Sequence, residues 1–252
     1  MHLLGLALAT PPHITLPAGL TPHLQLGLRW IHFIAGITWV GLLYFFNLVN
    51  TPFLREIDAS TRSSVVPVLM TRALWWFRWS AVVTVLAGMW YWMMIVHADA
   101  HNAGAGGGHA IWTFFAIWTV AFAAEMGLLM APGEFLRKGP VFAIVIAVVV
   151  ALAAYLYLAL NSRGWESNRL LAIGIGGGLG WFMLLNVWGI VWRAQKKIIR
   201  WTAESSARGT PMPAEAARLS HLSALAARTN FVLSFPMLLM MAVASHYPVF
   251  GP

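Results

Sequence analysis

The feature that most constrains this chain is a recurrence: stretches of about 20 predominantly apolar residues return along its whole length. Each is long enough to cross the roughly 30 Å hydrocarbon core of a bilayer as a helix. Spans are expected at about 27–49, 74–97, 109–131, 140–160, 169–192 and 229–247. Hydrophobic residues make up 60% of the chain and charged ones only 10%, where a soluble domain carries about 25% charged residues. A water-soluble fold would have to hide more apolar surface than one core of this size can. The expectation is an all-α integral membrane protein, a bundle of about six transmembrane helices.

The segments between the spans set the expected orientation. Residues 1–24 contain four prolines and no Asp, Glu, Lys or Arg, and read as an outer-side N-terminal segment. Residues 25–252 then form a single transmembrane domain with a cytoplasmic polar loop at about 194–228, inside which AEAARLSHLSALAAR reads as a surface helix. Lysine and arginine cluster after the first, third and fifth spans, whereas the loops after the second and fourth hold only Arg163 and Arg169. The positive-inside rule places those basic loops in the cytoplasm and both termini on the periplasmic side of a bacterial inner membrane. The net charge of +8 is therefore a matter of topology and not a nucleic-acid footprint. With no cysteine, disulfides, thiolate metal sites and covalently attached c-type haem are excluded within the chain.

Topology turns scattered polar residues into two layers. His32, His97, His109 and His246 come to one level near the outer face, contributed by four spans, with His101 close by. His32 stands among Trp30, Ile31, Phe33 and Ile34, inside a span, where an ionisable side chain is costly and faces the interior. Imidazole is a common haem-iron ligand. Gly36 falls one turn further on the same face and leaves room for a porphyrin edge, and Trp39 follows at seven residues from His32. A non-covalent b-type haem, one or two, is the sharper expectation. Zinc or copper on His97, His101, His109 and Asp99 is the competitor, on a glycine-rich loop that would not preorganise it. The run GIGGGLG in the fifth span suits close helix approach, and would equally leave room for a flat cofactor.

The second layer lies towards the cytoplasm. Glu125 sits in TVAFAAEMGLL of the third span, with Arg78 or Arg72 at matching depth. Asn47, Asn186 and Asn230 join it from three other spans. This layer reads either as a structural salt bridge with amide hydrogen bonds, or as a proton entrance or a pocket for a small polar planar ligand in which Glu125 and Arg78 would be catalytic. Both readings require Glu125 to face the bundle interior.

Four blocks then carry a resemblance: WIHFIAGITWVGLLYFFNLVNTPF, ALWWFRWSAVVTVLAGMWYW, GWFMLLNVWGIVWRAQKKII and AARTNFVLSFPMLLMMAVASHYP. In this order they resemble the urate oxidase N-terminal family, the membrane domain of the bacterial cytochrome c-linked urate hydroxylase. The first block, with its histidine and a tryptophan seven residues on, is also similar to a wider group of haem-binding membrane proteins in which a helix histidine ligates the iron. The resemblance implies oxidation of urate to 5-hydroxyisourate, with electrons passing to a c-type cytochrome. Fused members of that family carry a cytochrome c domain with a Cys-x-x-Cys-His site, and this sequence has no such site.

Two functional expectations follow. One is a haem b oxidoreductase acting on urate, Glu125 and Arg78 binding or activating the substrate and a separate cytochrome c accepting electrons at the periplasmic face. The other is a non-catalytic haem-binding anchor or relay of a larger respiratory complex, with quinone in place of urate. The two layers lie about 22 Å apart along a helix, too far for direct contact, which counts against the two-layer enzyme. A transporter would need a broken helix or a continuous polar path, and GIGGGLG is the only hint of one.

Overall fold

The structure, a computed structural model, describes residues 15–131 and 135–250. It is helical throughout the described residues, and six helices are long and apolar enough to cross a membrane: α1 (Leu20–Glu56), α2 (Ala59–Asn102), α3 (Gly108–Met130), α4 (Gly139–Asn161), α5 (Asn168–Arg208) and α6 (Glu215–His246). The expected N-terminal segment 1–24 lies largely outside the described residues, and α1 already begins at Leu20.

Four of the helices, α1, α2, α5 and α6, overrun their expected ends, and for the last three the reasons are local. α2 begins at Ala59 and runs unbroken through the amphipathic stretch before the second span. Asp58 starts it: the carboxylate accepts from the backbone N–H groups of Ser60 and Thr61 at 2.8 and 3.0 Å, which satisfies donors that have no partner inside the helix. The Ser60 and Thr61 hydroxyls also donate to it, and together these bonds hold the Asp58 carboxyl well below the usual carboxylate range. The segment 194–228 is likewise no loop. α5 continues to Arg208 and α6 starts at Glu215, so the expected surface helix is the first half of α6, continuous with the last span. Only 209–214 interrupts, because Gly209 takes the left-handed conformation (φ +65°) that caps α5, and Pro211 and Pro213 cannot resume a helix at once.

Two helices contain a π-helical turn, Phe45–Asn50 in α1 and Val187–Val191 in α5. In α1 the wide turn runs into Pro52, which lacks the N–H that an α-helix would direct back to Leu48.

α5 is the axis of the bundle. Of its most apolar 18-residue window 78% is buried, against 17–44% in the other five helices. It packs on α2, α3 and most extensively α6, while α1 leans chiefly on α2 and α4 on α3. The glycine run explains how α5 can be surrounded. A Cβ at Gly174 would collide with the Tyr157 ring and one at Gly178 with the Trp118 indole. A Cβ at Gly176 would lie 2.9 Å from Met240 Cβ. The Trp118 indole N–H donates to Gly174 O at 3.2 Å and that of Trp92 to Leu170 O at 3.1 Å, so α2 and α3 are also tied to this helix by hydrogen bonds. The outside of the bundle carries Ile37, Trp112, Val120, Ile144 and Val148, all more than 60% exposed, which suits a lipid surround rather than water.

Candidate cofactor cavity

α1 and α6 touch only slightly, and between them lies a cavity of about 470 Å³ floored by α2 and α5. Its walls are apolar: Phe33, Ile37, Trp39, Val40 and Tyr44 from α1, Val85, Met89 and Trp92 from α2, Ile173 from α5, and Met237, Leu238 and Met241 from α6. Five glycines also line it, Gly36, Gly41, Gly88, Gly177 and Gly180. Within GIGGGLG, Gly174, Gly176 and Gly178 thus serve close packing, and Gly177 and Gly180 line the cavity.

His32 enters this cavity from α1. Its Nδ1–H donates to the main-chain carbonyl of Thr84 at 2.8 Å. A carbonyl only accepts, so Nδ1 carries a proton, and whenever the ring is neutral it is Nε2 that holds the lone pair. That carbonyl is within reach because residue 88, one turn along α2, is glycine: a Cβ there would lie 2.6 Å from Nδ1. An oriented imidazole with one nitrogen tied to a backbone carbonyl is the usual support of a metal-bound histidine.

At one end of the cavity stand Arg29, one turn before His32, and Arg169, near the start of α5. Arg29 lies over the Tyr91 ring at 5.9 Å, and neither arginine forms an ion pair among the described residues. The chemistry of the lining is therefore an apolar slot with one imidazole nitrogen and two unneutralised cations at its mouth.

His32, Gly36 and Trp39 come together here as expected, whereas His97, His109 and His246 are not among the residues lining the cavity. His97 is exposed and stacks on His101 at 6.3 Å. His109 Nε2 is engaged whichever tautomer it adopts, with Leu160 O at 3.1 Å and Arg163 Nη2 at 2.9 Å. His246 is exposed at the end of α6. The shared level predicted from topology did not imply a shared site, because the rotation of each helix about its own axis also counts. The competing metal site is not assembled either: Asp99 accepts from Ser167 Oγ at 2.5 Å, and no group of three or more metal-ligating side chains is present among the described residues.

The second layer is divided in a similar way. Glu125 is fully buried, as both of its readings required. It forms no ion pair with Arg78, whose guanidinium instead lies 3.7 Å from the Trp192 ring centroid. Asn186 and Thr229 face the carboxyl, although neither Glu125 oxygen meets full hydrogen-bond geometry with any of the described residues. Asn186 Nδ2 donates to Asn230 Oδ1 and Asn230 Nδ2 to Met183 O, both at 3.0 Å, which locks α5 to α6. Asn47 turns back to its own helix, donating to Leu43 O at 2.8 Å. Neither Glu125 nor Arg78 lines the His32 cavity.

Sequence reasoning missed Arg29, Thr84, Gly88, Tyr91 and Met237 as parts of the site. Arg29 was findable, since an arginine one turn from a histidine inside a span invites the question of what it faces. The others carry no local signal, because only the crossing of α1, α2 and α6 brings them to His32. No family model, curated protein or solved structure matches this chain.

Proposed function

We propose that the chain is a haem b-binding membrane protein of electron transfer, with His32 Nε2 as ligand to the iron. The observation that carries this reading is the Nδ1–H bond from His32 to Thr84 O, which leaves Nε2 free on the wall of an apolar cavity. The cavity volume falls within the 300–1,000 Å³ typical of cofactor sites. Its glycines accept the faces of a flat ring, and its two arginines suit the two carboxylates of a protohaem. Haem, when bound, supplies one-electron redox chemistry. The chain would orient the ring through His32, exclude water with Phe33, Trp39, Met89 and Met237, and offer Arg29 and Arg169 to the carboxylates.

The lysine and arginine bias supports an orientation with the His32 end and both termini periplasmic, in a bacterial inner membrane. A c-type cytochrome or another redox subunit would then exchange electrons at that face. Between the two expectations, the relay is better supported than the urate hydroxylase. Glu125 is sealed, Arg78 is stacked on a tryptophan, and neither opens onto the cavity. Oxidation of urate rests on the resemblance alone.

Visible spectra of the purified protein, oxidised and dithionite-reduced, test the reading. The b-type bands should be present and should be lost in His32→Ala, while His97→Ala and His221→Ala keep them. Their absence from the parent protein, or their survival in His32→Ala, would overturn the assignment. Urate added anaerobically to the oxidised protein with a c-type cytochrome should leave the haem oxidised if the chain is a relay, and reduction would establish the hydroxylase instead.

A further inference from the structure

The end of α5 opposite the cavity mouth carries a second concavity, of about 870 Å³, which the electron-transfer reading does not use. Apart from Phe122 of α3, its lining comes from one face of α5. Leu185, Trp188, Gly189 and Trp192 recur at intervals of three and four residues, and Arg193, Lys196, Lys197 and Arg200 continue the same stripe. The groove therefore changes character along its length, from apolar and aromatic within the span to basic where the helix leaves it.

Its four cations are not equally occupied. Lys197 pairs with Glu215 at 3.2 Å and Arg200 with Glu204 at 3.7 Å. Arg193 and Lys196, which lie nearer the apolar half, are exposed and have no acidic partner among the described residues. Trp192 is braced from behind by the Arg78 guanidinium, and Trp188 by the edge-on ring of Trp79 at 5.4 Å. This basic-to-apolar gradient is complementary to an amphiphile with an anionic head.

We propose that this groove is a binding site for an anionic phospholipid, its phosphate on Arg193 and Lys196 and an acyl chain along Phe122, Leu185 and Trp188. A free phosphate would satisfy the cations but leave the apolar half of the groove unused. A zwitterionic lipid would bring its own ammonium against two unneutralised cations. Clustered Lys and Arg beside a membrane span favour anionic headgroups through the same electrostatics.

Native mass spectrometry of the full chain, released from nanodiscs of equal phosphatidylglycerol and phosphatidylcholine, gives the test. Phosphatidylglycerol adducts should exceed phosphatidylcholine adducts several-fold. The double substitution Arg193→Gln with Lys196→Gln should remove that preference, whereas Arg62→Gln, in the polar stretch between α1 and the second span and outside the groove, should preserve it. Equal retention of both lipids by the parent protein, or an unchanged preference in the double variant, would overturn the proposal. Displacement of the phosphatidylglycerol by millimolar glycerol 3-phosphate would show that the groove recognises a phosphate and not a lipid, which would overturn it as well. Leu185→Ser supplies a second check, since it leaves every cation in place and should weaken retention only if the acyl chain is held.

Discussion

At the scale of single residues, the site depends on a pair of positions that no local pattern connects. His32 was legible because an imidazole flanked by tryptophan, isoleucine and phenylalanine inside a span has few reasons to be there. Gly88 was not legible, since its role exists only where α1 crosses α2. A Cβ at Gly88 would lie 2.6 Å from His32 Nδ1, whereas Gly27, on α1 but not among the cavity-lining residues, has nothing within 4 Å of its Cβ position. Gly88→Ala should therefore swing the ring off Thr84 O and lower haem occupancy several-fold, while Gly27→Ala should keep occupancy near that of the parent. The haem-to-protein absorbance ratio measures both. Glu125 makes the complementary point. Its burial followed from sequence, but the depth-matched Arg78 preferred the faces of Trp188 and Trp192, at 5.7 and 3.7 Å, to the carboxylate. Depth along a helix says nothing about which side of it a residue occupies, and a guanidinium on an indole is itself a favourable contact.

At the scale of the helix, α5 shows how a repeated small residue acquires several roles. Successive glycines in GIGGGLG point in different directions, because each residue turns about 100° from the last. Gly174 and Gly178 share a face and receive the rings of Tyr157 and Trp118, Gly176 admits α6, and Gly177 and Gly180 open the cavity. Replacing Gly178 with alanine should overpack the Trp118 contact and cost about 1–3 kcal/mol. Gly127→Ala, with open space around its Cβ position, should change little. Thermal unfolding in detergent compares the two. The π-helical turns Phe45–Asn50 and Val187–Val191 were not foreseen, because periodicity over a window of apolar residues does not register one extra residue in a turn.

At the scale of the whole molecule, the two ends of the bundle carry different sets of cations. Arg193, Lys196, Lys197 and Arg200 stand at one end, and the cavity mouth with Arg29 and Arg169 at the other. Since the chain contains no cysteine, single introduced thiols report sidedness directly. On intact cells a membrane-impermeant maleimide should label Ser162→Cys, between α4 and α5, and spare Ser206→Cys until the membrane is opened. The reverse pattern would place the cavity mouth in the cytoplasm and require a different electron-transfer partner.

Six long apolar helices, the burial of Glu125 and the need to explain His32 can all be read from the order of the residues alone. Those properties follow from hydrophobic run length and from the cost of burying polar groups, which are local quantities. That His32 meets Thr84, Gly88 and two arginines around one cavity, and that His97, His109 and His246 stay outside it, follows from the packing of the helices. Which side chains converge depends on the rotation and crossing of each helix, and those are set by contacts between residues far apart in the chain, such as Trp118 on Gly178 and Asn186 on Asn230.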